Sequence, residues 1–200
     1  MLIPISNSIL DEFELINVDY LVDNLQYTLN SGTQEYRFYS YLTTFFNGIT
    51  ILDIGTYQGT SAVALSHNIN NNVISYNIHD NINIPDHKIY SKSNIVFKIK
   101  NGVDALNSLT PDEFIKIKII MIDTEHFGDE EETMIKILAD NNFSGIIILD
   151  DIHHPNPTLK FPMEKLWNNI TYKKYDITKY AHFSGTGIIL MNTDIDFSFL

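Results

Sequence analysis

The sequence predicts an α/β protein on a Rossmann-like, doubly wound sheet of seven strands, mainly parallel, with an antiparallel closing strand. Three observations carry this expectation. Ile49–Ser66, ITILDIGTYQGTSAVALS, reads as a buried strand, a glycine-bearing turn and a helix. Two nearly continuous apolar runs, Ile117–Ile122 and Gly145–Leu149, read as inner parallel strands covered on both faces, and each ends in aspartate, Asp123 after the first and Asp150-Asp151 after the second. Thr171–Ile177 and Gly185–Met191 then read as a closing hairpin pair.

The remaining elements follow in order. Residues 1–48 carry no strong strand pattern and read as a helical N-terminal segment, with helices over Asp19–Leu29 and Glu35–Phe46. The second helix is rich in aromatics, from Tyr36 to Phe46, and either packs on the sheet or borders a ligand. Residues 49–191 form the Rossmann-like core of a single domain spanning 1–200. Within it, Val73–Ile78 and Asn94–Ile99 are strands, and the short polar stretch 79–93 between them leaves little room for a full crossover helix. Val103–Leu109 is a short helix, and Thr110-Pro111-Asp112-Glu113 is a capping box with proline at the first helical position. Gly128–Asp140 is a helix with an acidic first turn, as the helix dipole favours. Pro155, Pro157 and Pro162 interrupt the chain before a helix over Pro162–Asn169, and the polar tail from Asn192 reads as loosely held.

The bulk composition narrows the function classes. At 200 residues and 44% hydrophobic, the chain can bury a full core. A net charge of −12 argues against a nucleic-acid partner, because phosphate binding needs a basic face. The absence of cysteine removes disulfides and thiolate chemistry. No apolar run is long enough for a membrane span, and MLIPISNSIL lacks the basic region and apolar core of a signal peptide, so a cytoplasmic location is expected. A homo-oligomer is compatible with this composition.

The turn after the first strand has the spacing Asp53-x-Gly55-x-x-x-Gly59. This is neither the Gly-x-Gly-x-x-Gly of dinucleotide binding nor a phosphate loop, which would continue into Gly-Lys-Ser/Thr. LDIGTYQGTSAVALS resembles motif I of class I S-adenosylmethionine (SAM) methyltransferases. Within these it is similar to the catechol O-methyltransferase-like enzymes, which carry an acid-x-Gly-x-Tyr-x-Gly-x-Ser-Ala pattern there. The resemblance implies SAM as cofactor, bound by Asp53, Gly55, Tyr57, Gly59 and Ser61, with Ser61 and backbone donors at the helix start meeting the amino-acid carboxylate. It also puts the position of the acid that holds the ribose hydroxyls on Asn77, a departure: the amide can still bond a hydroxyl, without the charge, or Asp80 in the next loop can substitute. Asn101 falls where the family bonds the adenine amino group, although asparagine there also caps a helix.

Asp123, Asp150 and Asp151 are the sharpest chemical group outside this motif. Hard oxygen ligands at two adjacent strand ends suit Mg²⁺ or another divalent cation, and carboxylates so close need a cation or protons to offset their repulsion. MIDTEHFGDEE and IIILDDIHHP resemble the two metal segments of cation-dependent O-methyltransferases, with Asp123, Asp150 and Asp151 on the three ligand positions. Asp-x-x-His at Asp123–His126 is also similar to the family of sugar and macrolide O-methyltransferases and cephalosporin-hydroxylase-like proteins. That implies methyl transfer from SAM to a hydroxyl of a small molecule or sugar, with Asp123 and His126 as catalytic residues, Asp123 also binding the cofactor and His126 acting as the base, a role its ordinary pKa suits. His153 is expected to line the site and His154 to pack on Pro155. The alternatives are a catalytically silent SAM-fold binding module and a metal-dependent oxygenase or hydrolase on the same aspartates and histidines.

Overall fold

The structure is a computed structural model that describes residues 1–21, 25–79 and 88–200. The chain begins with strand β1 (Leu2–Ile5) and helix α1 (Asn7–Glu12), followed after a 3₁₀ turn by α2 (Tyr36–Thr43). The core then alternates: β2 (Thr50–Ile54), α3 (Thr60–Leu65), β3 (Asn72–Asn77), β4 (Ile95–Ile99), α4 (Gly102–Asn107), α5 (Pro111–Lys116), β5 (Ile117–Ile122), α6 (Asp129–Asp140) and β6 (Gly145–Asp150). It closes with α7 (Pro157–Asn169), β7 (Lys173–Asp176), β8 (Thr186–Met191) and β9 (Asp196–Phe199).

The expected sheet is present. Its seven strands run in the order β4-β3-β2-β5-β6-β8-β7. All pairs are parallel except those of β8, which runs antiparallel to both β6 and β7. β5 and β6, at the centre, are Ile-rich because helices cover both faces, so neither face has a place for polar side chains. Ile51, Ile119, Met121, Ile146 and Ile148 point into one core with α2 and α3, whereas Leu52, Ile54, Ile120, Ile122 and Ile147 point into the other with α4, α6 and α7. Among the described residues no helix is long and apolar enough to cross a membrane.

The aromatic helix α2 packs on its neighbour. Phe38, Tyr39 and Leu42 are buried in the first core, and the Ser40 hydroxyl donates to Ala64 O at 3.2 Å, tying α2 to α3. The capping box forms as expected: the Thr110 hydroxyl accepts from Glu113 N, and the Glu113 carboxylate accepts from Thr110 N.

Four expectations about the flanking segments are corrected. In place of a helix over Asp19–Leu29 there is a 3₁₀ turn at Val18–Tyr20 and turns from 25 onward, with residues 22–24 outside the described residues. The N-terminus is a strand, and the tail is not loose: β1 and β9 pair in parallel, Leu2 with Asp196 through Ile5 with Phe199. The chain ends hold together because Ile3, Ile5 and Phe197 bury their side chains in the first core. Finally, the helix α7 starts earlier than expected, at Pro157. Proline at the first helical position lacks only an N–H that would have no partner, while Pro162 sits inside the helix.

Two outcomes test the terminal sheet. Ile5→Ala should lower the unfolding free energy by about 2–5 kcal/mol in urea titrations, since Ile5 is fully buried; a loss under about 0.5 kcal/mol would place the sheet outside the cooperative unit. The Asp196 carboxylate accepts from Lys173 Nζ at 2.6 Å and from the Tyr175 hydroxyl at 2.5 Å, and Lys173 above all holds its pKa down at about 2. A depressed acid stabilises the fold above its unfolded value of about 3.9 and loses that contribution as the pH falls through 2. Asp196→Asn should therefore melt below the wild type at neutral pH, with the difference shrinking to nothing in strong acid.

Candidate functional site

The order of the central sheet reverses between β2 and β5, and the chain crosses over at their carboxyl ends. The two strand ends meet closely there. Asp123 N donates to Ile54 O at 2.9 Å, and a β-carbon on Gly55, at φ +109°, would overlap the Asp123 carbonyl. Glycine is needed at 55 both for its backbone angle and for this contact. A cavity of about 430 Å³ opens at this point, lined among others by Gly55, Tyr57, Asn77, Gly102, Asp123 and Glu130. That is the size of a small-molecule site. Asn77 Nδ2 is buried beside it with no hydrogen-bond partner among the described residues, and a buried amide N–H normally has one.

Of the other residues expected around a cofactor, several brace the loop instead of facing the cavity. Asp53 is fully buried, and its carboxylate accepts the Ser75 hydroxyl at 2.5 Å. Burial raises its pKa to about 6 against the lowering effect of the Ser75 and Ser61 hydroxyls. Thr56 and Ser75 share a further hydrogen bond under the turn. Ser61 is largely buried at the start of α3. Gly59, also at positive φ, turns its open side to Ile89 and Phe97. Asn101 caps α4: its side-chain oxygen accepts from Val103 N at 2.9 Å, and its Nδ2 donates to Glu130 at 2.5 Å. Asp80 lies outside the described residues.

The second half of the site is a cluster of carboxylates and imidazoles. His126 Nε2 stands 3.3 Å from Asp123 Oδ1 and 3.4 Å from Asp151 Oδ2, bridging the ends of β5 and β6. His154 Nε2 is 3.5 Å from the same Asp151 oxygen, and its ring lies 5.4 Å from that of His126. His182, in the turn between β7 and β8, places Nδ1 at 3.7 Å from both Asp150 Oδ1 and Asp151 Oδ1. The Ser184 hydroxyl donates to Asp151 Oδ1 and lies 2.6 Å from His182 Nδ1. Asp150, Asp151 and His182 thus offer three donor atoms within 4.8 Å of one another, while Asp123 joins the group through the His126 ring.

Burial and mutual proximity set the charges. Burial raises Asp123, contact with His126 lowers it, and Asp150 raises it again, for a net value of about 6. Burial alone would lower His126, but Asp123, Asp151 and Asp150 outweigh it and bring the ring to about 9. His182 reaches about 9 by the same balance, with Asp150, Glu35 and Asp151 outweighing its burial. The protonated rings serve as counter-charges to the aspartates. The atoms Asp150 Oδ1 and His126 Nδ1 are buried without partners among the described residues, so the cluster retains coordinating capacity that its own hydrogen bonds do not use.

Three members of this site were missed in the sequence. Glu35, at the N-terminus of α2, is buried against Asp150 and His182, and burial first and Asp150 second push its carboxyl up to about 8. His182 arrives from the far end of the chain. Glu131 is fully buried and accepts from the Thr124 hydroxyl at 2.6 Å, His126 N at 3.0 Å and Gly128 N at 2.9 Å. It fixes the loop that carries Asp123 and His126, where His126 has φ +62°. The expected roles of the adjacent histidines are reversed. His153 turns outward to Asp176 at 2.7 Å, and His154 faces the cluster.

No protein-family model and no curated protein matches this chain. Solved structures do share its fold. An O-methyltransferase from Bacillus cereus, in complex with SAH, is 14% identical at a TM-score of 0.57, covering 78% of this chain and 80% of that one. A protein from Staphylococcus aureus described as a caffeoyl-CoA O-methyltransferase is 16% identical at 0.61, covering 93% and 92%. An SAH-bound methyltransferase from Podospora anserina is 14% identical at 0.58, covering 90% and 84%. The chain has the fold of these methyltransferases.

Glu131 supplies a direct test of how the loop is held. Glu131→Gln keeps the size of the side chain but leaves one buried donor facing an amide N–H. It should cost about 1–3 kcal/mol in urea unfolding; a cost below about 0.5 kcal/mol would show that the 124–128 loop keeps its shape without the carboxylate.

Proposed function

We propose that this chain is a SAM-dependent O-methyltransferase that moves a methyl group to a hydroxyl of a small molecule, with a divalent cation at the carboxylate cluster. One observation carries the reading: the cavity at the reversal of the sheet and the carboxylate–imidazole cluster share Asp123. A cofactor in the cavity would thus present its reactive end to the cluster. The SAH-bound proteins of the same fold support this reading, as does the resemblance of the Asp53–Ser61 turn to motif I.

In this reading Asn77 donates to the cofactor from its Nδ2, which has no partner among the described residues, and Gly55 and Gly102 line the cavity with backbone. SAM already carries an activated methyl group, so the chain's main task is to hold donor and acceptor in line. A cation held by Asp123, Asp150 and Asp151, Mg²⁺ or another divalent ion, would lower the pKa of a bound acceptor hydroxyl. The orphaned Asp150 oxygen fits such an ion. A cation among these carboxylates would lower the pKa of His126 from about 9, and its Nε2, within 3.4 Å of both flanking aspartates, would then be the group in reach to take the acceptor's proton. The acceptor class, a sugar or another hydroxyl compound, follows from the family resemblance alone.

The expected outcomes separate cofactor from cation. SAM should bind the purified chain in calorimetry, and Asn77→Ala should weaken it about tenfold, the worth of one buried hydrogen bond. No SAM binding to the folded wild type would reject the reading. With an acceptor found from a panel of hydroxyl compounds, Asp150→Asn should slow methyl transfer at least about a hundredfold with SAM affinity little changed, and EDTA should mimic it. His126→Ala should slow it about ten- to a thousandfold. Full activity in EDTA would leave the aspartates as structural groups.

A further inference from the structure

Building on the cation reading above, we propose that His182 is itself a metal ligand, so that the site selects a transition ion such as manganese, iron or zinc over magnesium. His182 Nδ1 lies 3.7 Å from Asp150 Oδ1 and 3.7 Å from Asp151 Oδ1. These separations are beyond hydrogen bonding, and Nδ1 instead donates its proton to Ser184 Oγ at 2.6 Å, a proton that a bound ion would displace. They lie in the range between neighbouring and opposite ligands of a single ion with bonds of roughly 2.0–2.2 Å. Asp150 Oδ1 is also buried without a partner, in a residue only 5% exposed, and it is the oxygen turned to this space.

The two oxygens of Asp151 divide their roles. Oδ2 faces His126 and His154, while Oδ1 faces His182 and accepts the Ser184 hydroxyl. Ser184 is thus an outer partner that orients the Asp151 carboxylate, as such partners commonly do around metals.

His182 is held for this task by the backbone. Gly185 N donates to His182 O at 3.0 Å, closing the turn, and His182 N donates to the Thr186 hydroxyl at 3.2 Å. Ile152 N to Gly185 O at 3.1 Å and His153 N to Ser184 O at 2.8 Å lash that turn to the segment following Asp151. Gly185 has φ +104°, and a β-carbon there would run into His153 N and Ile152, so the approach of the two segments depends on it. His182 would thus add an imidazole to the carboxylates of the cation site, next to Asp150 and Asp151. Magnesium takes oxygen ligands, whereas imidazole suits zinc, iron and other later divalent ions.

The test reads metal binding directly, with no acceptor present. The full chain is titrated with Mn²⁺, Zn²⁺ and Mg²⁺ in a calorimeter, and the Mn²⁺ form is examined by pulsed EPR for coupling to an imidazole nitrogen. Mn²⁺ should bind at least about tenfold tighter than Mg²⁺. His182→Ala should weaken Mn²⁺ at least about tenfold, leave Mg²⁺ unchanged and abolish the nitrogen coupling, which His154→Ala should keep. Should the alanine variant fail to fold by circular dichroism, His182→Gln carries the same comparison. Equal affinities for Mn²⁺ and Mg²⁺, with neither altered by the substitution, would overturn the assignment, making His182 a counter-charge only and leaving the cation reading intact. Absence of any divalent binding to the wild type overturns both, and SAM titrations run in parallel decide separately whether the cofactor reading stands.

Discussion

The close approach of two strand ends organises this molecule. Where β2 and β5 run side by side, the backbone of Asp123 lies against Gly55 so tightly that no side chain fits between them. That contact sets the position of everything with chemical character. On one side the chain turns away through Tyr57 and Gly59 and leaves the cavity open, and on the other it turns through His126 into the loop held by Glu131. Asp123 belongs to both halves, and its side chain takes its direction from a backbone fixed by strand pairing. A site built on strand ends in this way is more rigid than one built on loops alone.

A second constraint is the amount of buried negative charge. Glu35, Asp150 and Asp151 are buried, Asp123 stands partly exposed near them, and burial and repulsion are each costly. The fold answers in three ways. Glu35 and Asp123 shift upward toward their protonated forms, three imidazoles interleave with the aspartates, and Ser184 donates a hydrogen bond. These compensations stop short of completion, because Asp150 keeps an oxygen with no donor among the described residues. Structural ion-pair networks can also shift pKa values, so the unfilled oxygen is the more telling sign of a ligand site.

The parts legible in the sequence were those with local causes. Burial on two faces makes β5 and β6 continuous Ile runs, the glycines of the first turn answer to positive φ, and the capping box at Thr110 is written within four residues. The aspartates were legible because they stand at strand ends. The missing parts depend on pairings across the chain. β1 and β9 are four residues each, and their parallel register joins the two termini, which no local pattern encodes. Glu35 and His182 reach the site from opposite ends of the sequence, and Glu131 looked like one more acid in an acidic first turn although it is the buried one. The roles of His153 and His154 depend on partners distant in the sequence or across a turn, Asp176 for the first and Asp151 for the second.

The charge of the cavity bears on how such a site would treat its cofactor. SAM brings a positive sulfonium, and Asp123, Glu125 and Glu130 line the cavity against the single lysine, Lys100, among its described lining residues. At Asn77 an amide replaces the carboxylate that the family resemblance would put beside the ribose. An amide both donates and accepts, whereas a carboxylate only accepts, and hydrogen bonds to charged groups are roughly twice as strong as neutral ones. Were Asn77 to face a ribose, as the resemblance implies, the amide would hold it less strongly than a carboxylate, while the acids nearest the cluster remain. Under the proposed function, that lowers cofactor affinity without disturbing the methyl end, where binding energy acts on the reaction itself.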